Sequence, residues 1–354
     1  MSDATADLRP LTLTFESRLA EVLARGQERS RGFGAPYAQL WESLTAMAHG
    51  GKKVRPRLLL DAYEALGGID ERAAVDAACA VELLHLALVI HDDVIDKDLM
   101  RRGEMNITGR FASEAMVRGA SRSDARAWGE ASSLLAGDLM LTTAHSLLAR
   151  LDIPEDRRHA VLDVFDDTIF ESAAGEHCDV WLSLHLDQAH PEDVLTMIDQ
   201  KTASYSFAAP LVLAAVLAGA PRDLIDELTA IARGIGVIYQ LRDDVLGVSG
   251  DERQTGKSTL SDLREGKETL LIACARNDPS WSEVAHLFGD ATLSVADSQL
   301  LRRVIEESGA TVFVESVIAE RCEQVHAAIE SATLPIALQE QLTALTTACA
   351  TRTS

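Results

Sequence analysis

The chain has 354 residues, with 33 Lys and Arg against 55 Asp and Glu, for a formal net charge of −22. So acidic a balance argues against a nucleic-acid binder or an electrostatic membrane binder, since both need a positive face. Hydrophobic residues reach 47% but aromatics only 5%, so the expected core is large and aliphatic. No secretory leader is legible in Met1–Ala20, where acidic residues interrupt the apolar ones. The longest apolar run, Phe207–Ala220, contains Pro210 and falls short of the roughly 20 residues of a membrane helix. Cys79, Cys178, Cys274, Cys322 and Cys349 are odd in number and lack C-x-x-C spacing. They read as reduced thiols of a cytoplasmic chain.

The hydrophobic period is helical almost throughout. After a basic segment at Gly50–Pro56, Glu71–Ile90 is rich in Ala, Leu and Val, which predicts a long helix buried on most sides. Further helices are predicted over Asp124–Leu151, Arg157–Leu184, Pro191–Leu217 and Pro221–Val248, with Pro191 and Pro221 in first turns, where proline is tolerated. No alternating strand pattern or Asn-Gly hairpin signal stands out. Asp98–Ser123 and Val248–Lys267 break the rhythm with charge, Gly and Ser, and read as loops on a rigid scaffold. Neither has a linker's composition. The expectation is one all-α domain over residues 1–354, with 1–8 as a flexible tail.

His91-Asp92-Asp93-Val94-Ile95-Asp96 places Asp92 and Asp96 at i and i+4, on one helical face. Two carboxylates a turn apart repel, and each is costly to bury unpaired. A hard divalent cation resolves the conflict, and Mg²⁺ favours one or two carboxylates plus substrate phosphate oxygens. The same grammar returns in Gln240-Leu241-Arg242-Asp243-Asp244-Val245-Leu246-Gly247, again at the end of an apolar stretch. Basic residues fall near both sets: Lys52, Lys53 and Arg55 before the first, Arg101 and Arg102 after it, Lys257 and Lys267 after the second. Arg forks and Lys point charges are common phosphate ligands. Together these point to a polyanionic ligand, a diphosphate, neutralised by several magnesium ions and by cations.

In these residues the sequence resembles the trans-type isoprenyl diphosphate synthases, the polyprenyl synthetase family. The resemblance runs in the family's motif order from Gly50 to Leu271. It takes in Gly50-Gly51-Lys52-Lys53-Val54-Arg55-Pro56, Glu82-Leu83-Leu84-His85, the first aspartates, Arg101-Arg102-Gly103, Gly137-Asp138, Lys201-Thr202, Gln240 with Asp243-Asp244, Thr255-Gly256-Lys257, and Asp262-Leu263-Arg264-Glu265-Gly266-Lys267. It implies an all-α homodimer with helices around a deep central cavity, and magnesium, taken as three ions per active site. It further implies that Asp92 and Asp96 bind magnesium on the allylic diphosphate with Asp93 in support, and that Asp243 holds a further ion. By the same resemblance Lys52, Arg55, His85 and Arg102 bind isopentenyl diphosphate, and Arg101, Lys201, Lys257 and Lys267 contact the allylic diphosphate. Thr202 and Gln240 lie near the carbon where positive charge develops. Glu176 and Asp179 resemble a Gln-x-x-Asp pair with Glu replacing Gln, and are expected to support the site. The second motif departs from the fuller pattern, with Gly247 where a third Asp would stand.

The implied reaction ionises an allylic diphosphate (dimethylallyl, geranyl or farnesyl), condenses the cation with isopentenyl diphosphate and eliminates a proton. No side chain stands out as a dedicated base, which leaves the released diphosphate as the acceptor. Leu88 and Leu84 lie one and two turns below Asp92, and the helix rises 5.4 Å per turn, about one isoprene unit. Ala87 occupies the fifth position before the first Asp, where shorter-product relatives often carry an aromatic. The first motif also lacks the two-residue insertion of the common bacterial farnesyl type. The expected product is geranylgeranyl diphosphate, with farnesyl or C25 and longer products, or class I terpene cyclisation, as alternatives. The Lys52, Arg55 and His85 set, suited to a second diphosphate, weighs against a cyclase. A nucleotide-binding reading of Gly256-Lys257-Ser258-Thr259 fails, because position 251 is Asp where a P-loop needs Gly. Intact aspartates in both motifs weigh against a non-catalytic partner subunit.

Overall fold

The computed structural model describes residues 11–101, 103–187, 189–249 and 261–352. The chain forms two compact units, one of residues 1–163 with 213–219, the other of 164–212 with 220–354.

In the first unit, α1 (Leu11–Ser30) packs on α2 (Ala35–Ala48) and α4 (Glu71–Ile95), and α3 (Val54–Ala65) also lies on α4. The Asp70 side chain starts α4 by accepting a hydrogen bond from the Ala73 amide, and Glu71 complements the helix dipole in the first turn. The helix then buries Ala74, Ala77, Ala78, Leu83, Leu84, Ala87 and Ile90, each large aliphatic residue contributing about 1.5–3 kcal/mol. Its principal partner is α6 (Arg122–Leu148), started by Ser121, whose hydroxyl accepts from the Asp124 amide. Gly137 permits the close approach: a Cβ there would stand 2.2 Å from Nε2 of His91.

Between α4 and α6, the stretch Asp98–Ser123 is not the simple loop its composition suggests. Met100–Arg101 pairs antiparallel with Glu104–Met105 as a minimal β1–β2 ribbon, and Ile107–Val117 is a helix, α5. Asn106 caps α5 by accepting from the Gly109 amide, and Ile107 and Phe111 supply a buried i, i+4 pair. Polar caps and glycines diluted that short apolar period.

α7 (Glu155–Ser183) contributes its first residues to the first unit and Val164 onward to the second. The second unit also contains α8 (Pro191–Ile198), a π-helical stretch at Asp199–Ala208, and α10 (Arg222–Ser249). α9 (Ala209–Ala218) follows the π stretch and is divided between the units. α10 packs on the π stretch, on α15 (Ala310–Ser331) and on α16 (Ile336–Thr351). Shorter helices α11 (Ser261–Glu265), α12 (Leu270–Ala275), α13 (Trp281–Val284) and α14 (Val295–Glu307) complete the described residues. Pro191 occupies the first turn of α8 as expected, whereas Pro221 stands just before α10.

Glu71–Ile95 and Pro191–Ala218 are long and apolar enough to cross a membrane, but 78% and 72% of their most apolar windows are buried inside the protein. They are core helices by packing. All five cysteines are free thiols. Burial pushes the Cys79 thiol well up and that of Cys349 to about 11, so neither is a ready nucleophile.

Candidate active site

In the first unit the last turn of α4 sorts its three aspartates by environment. Asp93 is buried and takes Arg101, whose Nε donates to Oδ1 at 2.8 Å and whose Nη2 lies 2.7 Å from the same oxygen. The β1–β2 ribbon returns Arg101 to this position. Burial pushes the Asp93 carboxyl above the usual carboxylate range, and Arg101 opposes that rise. Asp92 is half-buried, 3.3 Å from Nη2 of Arg101, and Asp96 is exposed. Asp92 and Asp96 stand a turn apart at one helix end and are less buried than Asp93, which holds the shorter contacts to Arg101. Two hard carboxylate donors at that spacing suit magnesium.

The basic loop ahead of α3 is tied to the same helix. Lys53 has a left-handed backbone (φ 50°), and its Nζ donates to the Ala48 carbonyl at 2.6 Å and to Oε1 of Glu82 at 2.8 Å. Both side chains are at most 9% exposed, so Glu82 is the buried anchor of the Lys53 turn. This leaves Lys52 exposed and Arg55 half-buried on either side, with His85 half-buried one turn beyond Glu82. The sequence pattern singled out Lys52 and Arg55; the anchoring role of Lys53 depends on a contact across 29 residues that no local pattern reveals. Below the aspartates Leu84 and Ala87 are buried and Leu88 is half-buried.

In the second unit Lys201 donates to Asp179 at 2.6 Å and lies 2.9 Å from Oε2 of Glu176. The Thr202 hydroxyl donates to Oε1 of Gln240 at 3.1 Å, and Nε2 of Gln240 donates to buried Asp244 at 2.8 Å. Asp243 receives Nη2 of Arg352 at 2.6 Å, and that guanidinium lies 4.0 Å from the centre of the Tyr239 ring. Nothing in the sequence pattern marked Arg352. Lys267 is half-buried next to Gly266, whose carbonyl accepts from Nε2 of His185 at 2.9 Å. Arg102 and Lys257 lie outside the described residues.

The polyprenyl synthetase family model matches residues 38–305. The chain belongs to the polyprenyl synthetase family. It is 30% identical over 278 residues to the geranylgeranyl diphosphate synthase of Methanosarcina mazei, 78% of each chain. It is 34% identical over 275 residues to the (2E,6E)-farnesyl diphosphate synthase of Mycobacterium tuberculosis, 78% of this chain and 67% of that one. A crystal structure of geranylgeranyl pyrophosphate synthase from Corynebacterium glutamicum, complexed with isoprenyl diphosphate and magnesium, superimposes with a TM-score of 0.89 at 28% identity, covering 98% of this chain and 99% of that one. The chain is thus an all-α trans-isoprenyl diphosphate synthase, a magnesium-dependent prenyltransferase.

This polyprenyl synthetase holds Lys201 and Thr202 by backbone packing as well as by hydrogen bonds. Both lie in the π stretch, a geometry often found at functional sites. A Cβ on Gly175 of α7 would come within 2.2 Å of the Lys201 amide nitrogen, and one on Gly236 of α10 within 2.5 Å of Cα and Cβ of Ala203. Two helices therefore close on the π stretch at glycines, where any side chain would collide with main chain. A lone Gly inside a helical pattern is the only sequence trace of this, and it does not say which neighbour comes close. Gly236→Ala is expected to cost about 1–3 kcal/mol by overpacking. Because the collision falls beside Thr202, turnover should drop at least tenfold in protein that remains folded. Thermal melts read beside steady-state turnover check both, and full turnover in Gly236→Ala would show that the close approach does not position Thr202.

Proposed function

We propose that this enzyme makes geranylgeranyl diphosphate, adding isopentenyl diphosphate to an allylic diphosphate until the chain reaches twenty carbons. The observation that carries the product length is the composition of α4 beneath the aspartates. Ala87 is small and fully buried, Leu84 is buried and Leu88 is half-buried, with no aromatic among them. An α-helix gains 5.4 Å per turn, about one isoprene unit, so a short aliphatic wall there leaves depth for further units. The names of several relatives support the same length.

In this reading Asp92 and Asp96 would hold magnesium on the allylic diphosphate, Asp243 would hold a further ion, and the site would take three. Magnesium, when bound, supplies positive charge to the leaving diphosphate. Asp93, paired with Arg101, holds the end of α4 in register. Lys52, Arg55, His85 and Arg102 receive isopentenyl diphosphate; Arg101, Lys201, Lys257 and Lys267 receive the allylic diphosphate. Thr202 has committed its proton to Gln240, and Gln240 gives one of its two amide hydrogens to Asp244. The Thr202 oxygen can therefore offer only lone pairs to another group, which suits a neighbour of a developing allylic cation. Aliphatic walls exclude water that would quench the cation.

Homodimerisation belongs to the same proposal. Within the first unit, α5 and α6 leave Met116, Val117, Trp128, Leu134 and Leu135 between 45% and 85% exposed, an apolar surface that a second copy would cover. A cytoplasmic location is supported by the five free thiols.

The purified chain, given isopentenyl diphosphate, an allylic starter and Mg²⁺, is expected to yield products ending at twenty carbons by mass spectrometry. Ala87→Phe should shift the main product to fifteen carbons or fewer. A wild-type product ending at fifteen carbons, or an unchanged spectrum in Ala87→Phe, would contradict the assignment of the floor. Light scattering should give twice the chain mass for the wild type, and Leu134→Glu with Leu135→Glu should give a monomer; a wild-type monomer would contradict the dimer.

A further inference from the structure

The first unit contains a cavity of about 600 Å³ whose lining differs in charge from the rest of the chain. Five arginines line it, Arg18, Arg25, Arg29, Arg72 and Arg150, with Asp76 as the sole acidic lining residue, in a protein of net charge −22. Arg18, Arg25 and Arg29 fall on one face of α1, because offsets of seven and eleven residues nearly complete whole helical turns. Arg18 is neutralised by Asp76 at 2.6 Å and by Glu21 at 3.1 Å. Among the described residues no side-chain hydrogen bond or ion pair engages Arg25, Arg29, Arg72 or Arg150. Arg72 lies in the first turn of α4, where the helix dipole disfavours a cation. Such a group of like charges gains from an anion placed among them.

The rest of the lining is apolar or hydroxylic. Phe33, Tyr37, Trp41, Val22, Leu139 and Leu147 give an aromatic and aliphatic surface, and Thr142 and Ser146 add hydroxyls. Trp41 is seated by a packing device: its ring lies directly over Gly26, where a Cβ would fall 1.9 Å from a ring carbon. The cavity volume is within the range of small-ligand sites. Planar guanidinium forks recognise phosphate oxygens in pairs without a metal.

We propose that this cavity is a second binding site, separate from the aspartate motifs and independent of magnesium, for a phosphate ester with an apolar tail. Arginines at the rim take the phosphate oxygens, and the Trp41 and Tyr37 side takes the tail. The proposed prenyl chemistry enters only in naming the probe: a prenyl diphosphate, the enzyme's own product class, has the required charge and tail. Occupancy by product would make the site a sensor of accumulated prenyl diphosphate.

The test is equilibrium binding of geranylgeranyl diphosphate to the full chain in EDTA, which removes the metal the aspartates require. The expected result is one saturable site per chain. Arg25→Glu with Arg29→Glu, at exposed positions, should weaken binding at least tenfold, and Arg150→Ala should weaken it severalfold. Asp92→Asn with Asp96→Asn should leave it unchanged. Inorganic diphosphate should bind at least tenfold more weakly than the prenyl ester. No saturable binding in EDTA, binding indifferent to the arginine variants, or equal affinity for inorganic diphosphate would each overturn the proposal. Condensation activity of the wild type in Mg²⁺ separates the two readings. A wild type that condenses yet shows no saturable binding in EDTA overturns this site alone, and a wild type that binds in EDTA yet condenses nothing overturns the prenyl reading alone.

Discussion

A carboxylate withdrawn from water must be met by a cation, a proton or hydrogen bonds, and this chain gathers carboxylates at two helix ends. At the end of α4, Arg101 neutralises buried Asp93 and also reaches half-buried Asp92 at 3.3 Å, while Asp96 is exposed. At the end of α10, Gln240 satisfies buried Asp244, and Arg352 lies against Asp243. In each motif the most buried carboxylate is thus satisfied by the protein's own groups. The adjacent Asp-Asp pairs are divided in labour by burial.

The remaining machinery rests on close backbone approach. Gly137 admits His91, and Gly175 and Gly236 admit the π stretch that carries Lys201 and Thr202. An aliphatic core with few aromatics can bring helices this near because its side chains are small and its contacts are many. Glu176 and Asp179 give Lys201 two carboxylate partners. Lys201 is therefore held as the cation of a net-negative triad. Arg352 places a cation beside Asp243 and so makes that end of α10 less negative.

Much of this was legible in the sequence because its physics is local. Long Ala/Leu runs at helical period give the long helices to within a few residues, and the i, i+4 spacing puts Asp92 and Asp96 on one face. The family follows from motif order. What escaped depends on distant contacts: Lys53 with Glu82, Asp243 with Arg352, and glycines whose meaning lies in the neighbour they admit. The π stretch leaves no trace in hydrophobic period. α5 was hidden because its caps and glycines resemble a loop's. The arginine cavity draws on α1, α4 and α6 together, and in the sequence each arginine reads as ordinary surface charge.

The division of labour among the first three aspartates is the central claim, and the magnesium dependence of condensation tests it most directly. Turnover would be measured against Mg²⁺ concentration for Asp92→Asn, Asp93→Asn and Asp96→Asn, with a thermal melt of each. Asp92→Asn and Asp96→Asn should each raise the half-saturating Mg²⁺ concentration at least tenfold and melt as the wild type does. Asp93→Asn should melt several degrees lower and keep a nearly unchanged magnesium midpoint. A magnesium midpoint that moves as far in Asp93→Asn as in Asp92→Asn would contradict the account.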